Sequence, residues 1–148
     1  MIYIQSDFPV SEELIERAAN TALAHQSETS DVELTILLTN DARLQELNRE
    51  YLGVDAPTDV LSFPASESDP ETGARYLGDI LISIPRARAQ AKAAAHPLES
   101  ELQLLVVHGV LHLLGHDHAR AEEKVQMWQA QAEILERLGL GQIQIREA

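Results

Sequence analysis

Between Pro97 and Gly115, apolar side chains cover nearly the whole circumference of the helix that their spacing predicts: Leu102, Leu104, Leu105, Val106, Val107, Val110, Leu111 and Leu113. Such a helix cannot lie on a protein surface, because whichever side faced water would expose aliphatic area. Everything else in the chain has to enclose it. Escape into a bilayer is closed off as well, since the run from Leu102 to Leu114 is too short to span one and carries two histidines. Pro97 suits the first helical position after a break at His96-Pro97, and Glu99 and Glu101 complement the positive end of the helix dipole.

The enclosing material is available. The chain has 148 residues, 45% of them hydrophobic, enough for one domain with a sizeable core. Strands are predicted at Met1 to Gln5, at Val32 to Thr39 in the sheet interior, at Asp59 to Pro64 and at Tyr76 to Ile84. Pro64 cannot extend a central ladder, which puts the third of these near a sheet edge, and Ala65 to Ala74 reads as a solvated loop. A helix capped at Ser11 is predicted to carry Leu14, Ile15, Ala18, Ala19, Ala22 and Leu23. A second, capped by Asn40 or Asp41, carries Leu44, Leu47, Asn48 and Tyr51 and ends at Gly53. A third runs from Pro85 to Ala95, and a last one from Ala119 to Leu138 presents Val125, Trp128, Ala132, Leu135 and Leu138 as its apolar face, followed by a short tail. With the enclosed helix they make about five. No repeat or second domain is visible, so residues 1–148 are expected to form a single domain. Cysteine is absent, which excludes disulfide-linked partners and thiolate ligands, and Met1 to Asp7 lacks the basic-then-apolar pattern of a signal peptide. A cytoplasmic protein without a membrane partner is expected.

Four of the six histidines cluster where the enclosed helix ends. His108 and His112 are one helical turn apart and roughly 40° out of line, so both imidazoles can reach one point. Gly115 can stop the helix with a positive φ and turn the chain, letting His118 swing back as a third ligand. That order supplies three nitrogen donors and leaves a fourth position for water, as in a catalytic rather than a structural zinc site. Spacing alone fixes no turn geometry, so His116 stays open as an alternative third ligand. An ion held this way lowers the pKa of its water toward neutrality and polarises an acyl or phosphoryl oxygen, which makes hydrolysis the natural reaction class. Zinc proteases carry a glutamate general base directly after the first histidine. Here that position is Gly109, so a different base or a different reaction is required.

Three blocks of the chain fall into the order of a known family. They are Leu47-Asn48-Arg49-Glu50-Tyr51 with Pro57-Thr58-Asp59-Val60-Leu61-Ser62-Phe63-Pro64; Leu77-Gly78-Asp79-Ile80; and His108-Gly109-Val110-Leu111-His112-Leu113-Leu114-Gly115-His116-Asp117-His118. With these the chain resembles the YbeY endoribonucleases, metal-dependent rRNA maturation factors. The resemblance implies an α+β fold in which a small mixed sheet of about four strands packs with the five helices. It implies one zinc ion on His108, His112 and His118. It also implies hydrolysis of single-stranded RNA in 16S rRNA 3′-end maturation and ribosome quality control, with rRNA and the small ribosomal subunit as partners. One position departs from the pattern: family members commonly have arginine directly after the aromatic residue at Tyr51, whereas this chain has Leu52, and Arg49 is the candidate to replace it.

A net charge of −13 argues against non-specific adhesion to polyanions, so any RNA contact needs a local basic patch. The segment from Arg75 to Lys92 is the clearest one, and Arg75, Arg86 and Arg88 join Arg49 as RNA-contact candidates, although charge alone fits a solvated helix face equally well. Asp117, as a partner orienting a histidine, and Asp59, facing the cleft, are the catalytic candidates, each equally readable as a cap or turn residue. Trp128 is expected in the core rather than as a base-stacking platform. Two other functions fit the same residues: a metallohydrolase acting on peptides or small esters, and a ribosome-associated binding protein with a structural metal.

Overall fold

The computed structural model describes residues 1–28 and 31–143; the tail expected after Gly139 lies outside them beyond Ile143. In chain order the elements are β1 (Ile2–Ser6), α1 (Glu12–His25), β2 (Val32–Thr39), α2 (Asp41–Leu52), β3 (Val60–Ser68), β4 (Arg75–Ser83), α3 (Ile84–Ala94), α4 (Leu98–Leu113) and α5 (Ala121–Arg137). The strands form one mixed sheet in the order β1-β2-β4-β3, with β1, β2 and β4 parallel and β3 antiparallel along one edge. The α+β architecture and the edge position of β3 are as the sequence predicts.

Alternation along the strands sorts the core into two layers. Val32, Leu34, Ile36 and Leu38 of β2 join Ile80 and Ile82 of β4 in the main core, together with the apolar faces of α1, α4 and α5. On the other side of the sheet a smaller cluster of Leu44, Leu61 and Leu81, with Leu37, Leu47 and Phe63, lies under α2. The enclosed helix is α4. Every residue from Glu101 to Leu111 is buried, and it packs against α1, α3, α5, β3 and β4. Its three buried polar side chains have partners: Glu101 accepts from His96 Nε2 at 2.7 Å, Gln103 Nε2 donates to the Glu99 carbonyl at 3.1 Å, and His108 Nδ1 lies 2.9 Å from Gln131 Oε1.

Three boundaries differ from the sequence reading, each for a physical reason. β3 does not stop at Pro64 but continues to Ser68 through an irregularity between Pro64 and Glu67, so the missing N–H of Pro64 falls where the ladder is already broken. Pro97 is the cap of α4 rather than its first helical residue. The buried face of α5 is Met127, Ala130, Gln131, Ile134 and Leu135, continued by Leu138, whereas Val125 and Ala132 are exposed. The predicted face shares Leu135 and Leu138 with this one but takes Val125 and Ala132 in place of Met127, Ala130, Ile134 and a glutamine, Gln131.

Gly78 locks β3 to β4 beside the end of α4. Its φ of +135° is a conformation that side-chain-bearing residues rarely adopt, and a Cβ there would sit 2.2 Å from the Phe63 carbonyl oxygen and 3.0 Å from Leu113 Cδ2. The obstructing atom is backbone, so no rotamer change relieves it. Replacing Gly78 with Ala should therefore destabilise the protein by on the order of 3 kcal/mol, combining backbone strain with overpacking. Urea denaturation measures this directly, and a loss below about 1 kcal/mol would contradict the packing described.

Candidate metal centre

The C-terminal end of α4 is a Schellman turn: the His116 N–H donates to the Leu111 carbonyl at 2.9 Å and the Gly115 N–H to the His112 carbonyl at 3.1 Å. Gly115 has a φ of +99°, as its place in that turn requires. The turn brings His118 back toward the helix. His108, His112 and His118 then offer ligand nitrogens that all lie within 4.8 Å of one another, and the Nε2 atoms of His108 and His112 are 3.0 Å apart. A tetrahedral ion with zinc–nitrogen bonds of about 2.0 Å needs nitrogens roughly 3.3 Å apart, so small side-chain adjustments suffice.

The donor chemistry also fits. His108, 7% exposed, places Nδ1 2.9 Å from Oε1 of the fully buried Gln131. An amide oxygen can only accept, so His108 carries its proton on Nδ1 and turns the Nε2 lone pair toward His112 and His118. Burial, reinforced by the neighbouring His112, pushes the His108 pKa down to about 4, and burial followed by repulsion from His118 lowers that of His112. Both imidazoles are thus neutral at pH 7, the state a metal ligand needs. Trp128 walls the site, its ring centroid 6.2 Å from that of His108 and 5.8 Å from that of His118, with the Lys124 ammonium 5.7 Å from the indole. It is half-buried against the core and forms part of the site wall.

The triad opens on a cleft of about 490 Å³ whose opposite wall is β3 and the segment before it, including Thr58, Asp59, Ser62 and Pro64. Asp59 is buried there. It accepts from the Val60 N–H at 2.8 Å and from Gln90 Nε2 at 3.3 Å. Asp117 is exposed on the rim and accepts the His118 N–H at 2.7 Å, so the side chain found holding a triad imidazole is Gln131 instead. His116 points away from the triad and pairs through Nε2 with Gln26 Oε1 at 2.7 Å. Gln26 in turn reaches His25, which pairs with Glu133. Gly109 lies against the sheet: a Cβ there would be 2.8 Å from Ile80 Cγ2, so a glutamate at this position would run into β4.

The arginines are distributed differently from the triad. Leu52 lines the cleft, and no lysine or arginine does so among the described residues. Arg75 is bound to Glu28 at 2.8 Å and Arg86 to Asp41 at 2.9 Å, which holds the Asp41 carboxyl below its ordinary range. Arg49 and Arg88 are exposed on α2 and α3.

Gln131 is the functional residue that sequence reasoning missed. The available signal was a lone amide on the helical row of Met127, Ile134 and Leu138, hidden by the misread face. Replacing Gln131 with Leu, close in size but unable to accept a hydrogen bond, should weaken metal binding about 10- to 100-fold, whereas Gln131→Glu should retain it. Competition against a chromophoric chelator measures both, and an unchanged affinity in the leucine variant would contradict the role given to the amide.

Comparison with known proteins agrees with this geometry. A family model described as "Endoribonuclease YbeY" matches residues 3–139. A protein of Roseiflexus sp. (strain RS-1) named endoribonuclease YbeY is 49% identical over 137 residues, covering 88% of this chain and 86% of that protein. Another of that name, from Moorella thermoacetica, is 44% identical over 146 residues, covering 92% of this chain and 94% of the relative. The solution structure of TM1509 from Thermotoga maritima superposes with a TM-score of 0.59 at 26% identity, covering 100% of this chain and 99% of that one. With the family model spanning nearly all the described residues and relatives this similar over most of their length, the chain belongs to the endoribonuclease YbeY family.

Proposed function

We propose that the chain is a metal-dependent endoribonuclease that hydrolyses phosphodiester bonds of single-stranded RNA in rRNA processing, with one zinc ion held by His108, His112 and His118. The observation that carries this reading is the convergence of three histidine nitrogens within 4.8 Å at an open cleft, in a chain of this family. Three imidazole nitrogens without a carboxylate favour zinc over magnesium or calcium, which prefer oxygen donors. When bound, such an ion supplies Lewis acidity for a phosphoryl oxygen and acidifies water toward neutral pH.

The chain's own residues do the rest. Gln131 and burial keep His108 neutral with Nε2 aimed at the cleft. Asp59 in the wall and Asp117 on the rim are the two carboxylates available to take the proton an attacking water loses. Arg49 and Arg88, exposed and without ion pairs among the described residues, are placed in the role of contacts to flanking RNA backbone, while Arg75 and Arg86 are held by Glu28 and Asp41. Family resemblance directs the activity to 16S rRNA 3′-end maturation and ribosome quality control, with the small ribosomal subunit as partner. No helix among the described residues is long and apolar enough to cross a membrane.

Replacing His112 with Ala should remove the stoichiometric metal and lower cleavage of a single-stranded rRNA fragment at least about 100-fold, with peptides and small esters uncut by either protein. Metal analysis beside a matched substrate panel makes the test. Full RNA cleavage by a metal-free His112→Ala protein, or peptide hydrolysis by the wild type with RNA left intact, would overturn the reading.

A further inference from the structure

Behind β3, on the face of the sheet away from the triad, lies a second hollow of about 360 Å³ that the metal chemistry does not use. Arg43, Leu47 and Tyr51, spaced four apart along one face of α2, form one side; Phe63 of β3 with Asp79 and Leu81 of β4 form the other. Tyr51 is 67% exposed, although its ring meets that of Phe63 edge-on with centroids 5.5 Å apart. Leu52 and Val54 beside it are also exposed. An aromatic ring left in water at the mouth of a hollow lined in part by Leu47, Phe63 and Leu81 is a surface without its partner.

Charge and position identify the partner. The hollow holds one guanidinium and one carboxylate, the latter bonded by the Tyr76 hydroxyl, so it has no excess positive charge with which to hold a phosphate. Its aromatic and aliphatic walls suit an uncharged flat ring. β3 is also the partition between the two cavities: Ser62 and Pro64 line the metal cleft, and Phe63 between them lines the hollow. The same division occurs on α2, where Leu52 faces the cleft and Tyr51 the hollow. A single strand laid across this edge would present a phosphate to the triad and an adjoining base to the aromatic pair.

We propose that the hollow is a nucleobase subsite, in which an unpaired base flanking the cleaved phosphate stacks on Tyr51 against the edge of Phe63. The proposal rests on the endoribonuclease reading and adds to it the feature of the substrate that is recognised. Stacking of this kind tolerates any base and contributes about 10- to 100-fold in binding.

The test walks one abasic site along a single-stranded RNA substrate and measures kcat and KM for the wild type, Tyr51→Ala and Tyr51→Phe. Tyr51 is exposed, so the alanine variant keeps the fold. In the wild type an abasic site at one position should raise KM about 10- to 100-fold. Tyr51→Ala should raise KM for intact RNA by a similar factor and make that abasic site silent, and Tyr51→Phe should restore both. An alanine variant with wild-type KM, or one that keeps the full abasic penalty, would overturn the subsite while leaving the endoribonuclease reading standing. A wild-type protein that cleaves no RNA would overturn both.

Discussion

The burial of α4 on every side is the constraint on which the rest depends. A helix with Glu101 to Leu111 wholly enclosed can exist only if a sheet covers one flank and α1, α3 and α5 cover the others. Burying each leucine or valine along it contributes roughly 1.5–3 kcal/mol, so the enclosure is also the main source of stability. Close approach to the sheet is possible at Gly109 because nothing projects toward Ile80 there. The same closeness makes that position unusable for a catalytic glutamate. Packing and chemistry therefore meet in one residue, and three histidines that could hold a metal stand beside a position with no room for the protease base.

Enclosure also sets the electronic state of the ligands. His108 is removed from water before any metal arrives, which keeps it neutral, and the one strong partner left to its second nitrogen is the buried amide of Gln131. Because α4 supplies the ring and α5 the amide, the position of α5 on the core sets the orientation of the His108 imidazole. The Schellman turn then adds His118 from a segment that is only partly buried, so the third ligand sits between the dry core and the open cleft. The described lining of that cleft carries no lysine or arginine, and Leu52 is part of it. In a chain of net charge −13, the proposed RNA binding would then draw on a metal at the triad, on contacts beyond the cleft, and on the neutral faces of the bases.

Much of this was legible in the sequence because periodicity reports burial. The all-round apolar pattern of α4, the interior strand β2 and the edge placement of β3 follow from which residues avoid water and where proline removes a donor. The convergence of His108, His112 and His118 was legible because two of them share one helix and the third follows a glycine turn. What was not legible depends on contacts between distant segments. The pairing of Arg86 with Asp41 and of Arg75 with Glu28 joins residues far apart in the chain, so a basic stretch in sequence is a partly neutralised surface in space. His116 stayed open as an alternative third ligand until the turn directed it to Gln26. The buried face of α5 was misjudged because Trp128 and Val125 are larger and more apolar than Ala130 and Gln131, while the packing geometry selects the row containing the smaller residues.

X-ray absorption spectroscopy at the edge of the bound metal tests whether the three histidines hold it. One ion per chain is expected, with three nitrogen donors at about 2.0–2.1 Å and a single additional light ligand, in tetrahedral geometry. A six-coordinate shell of oxygen donors, or a shell with fewer than three histidine nitrogens, would contradict it.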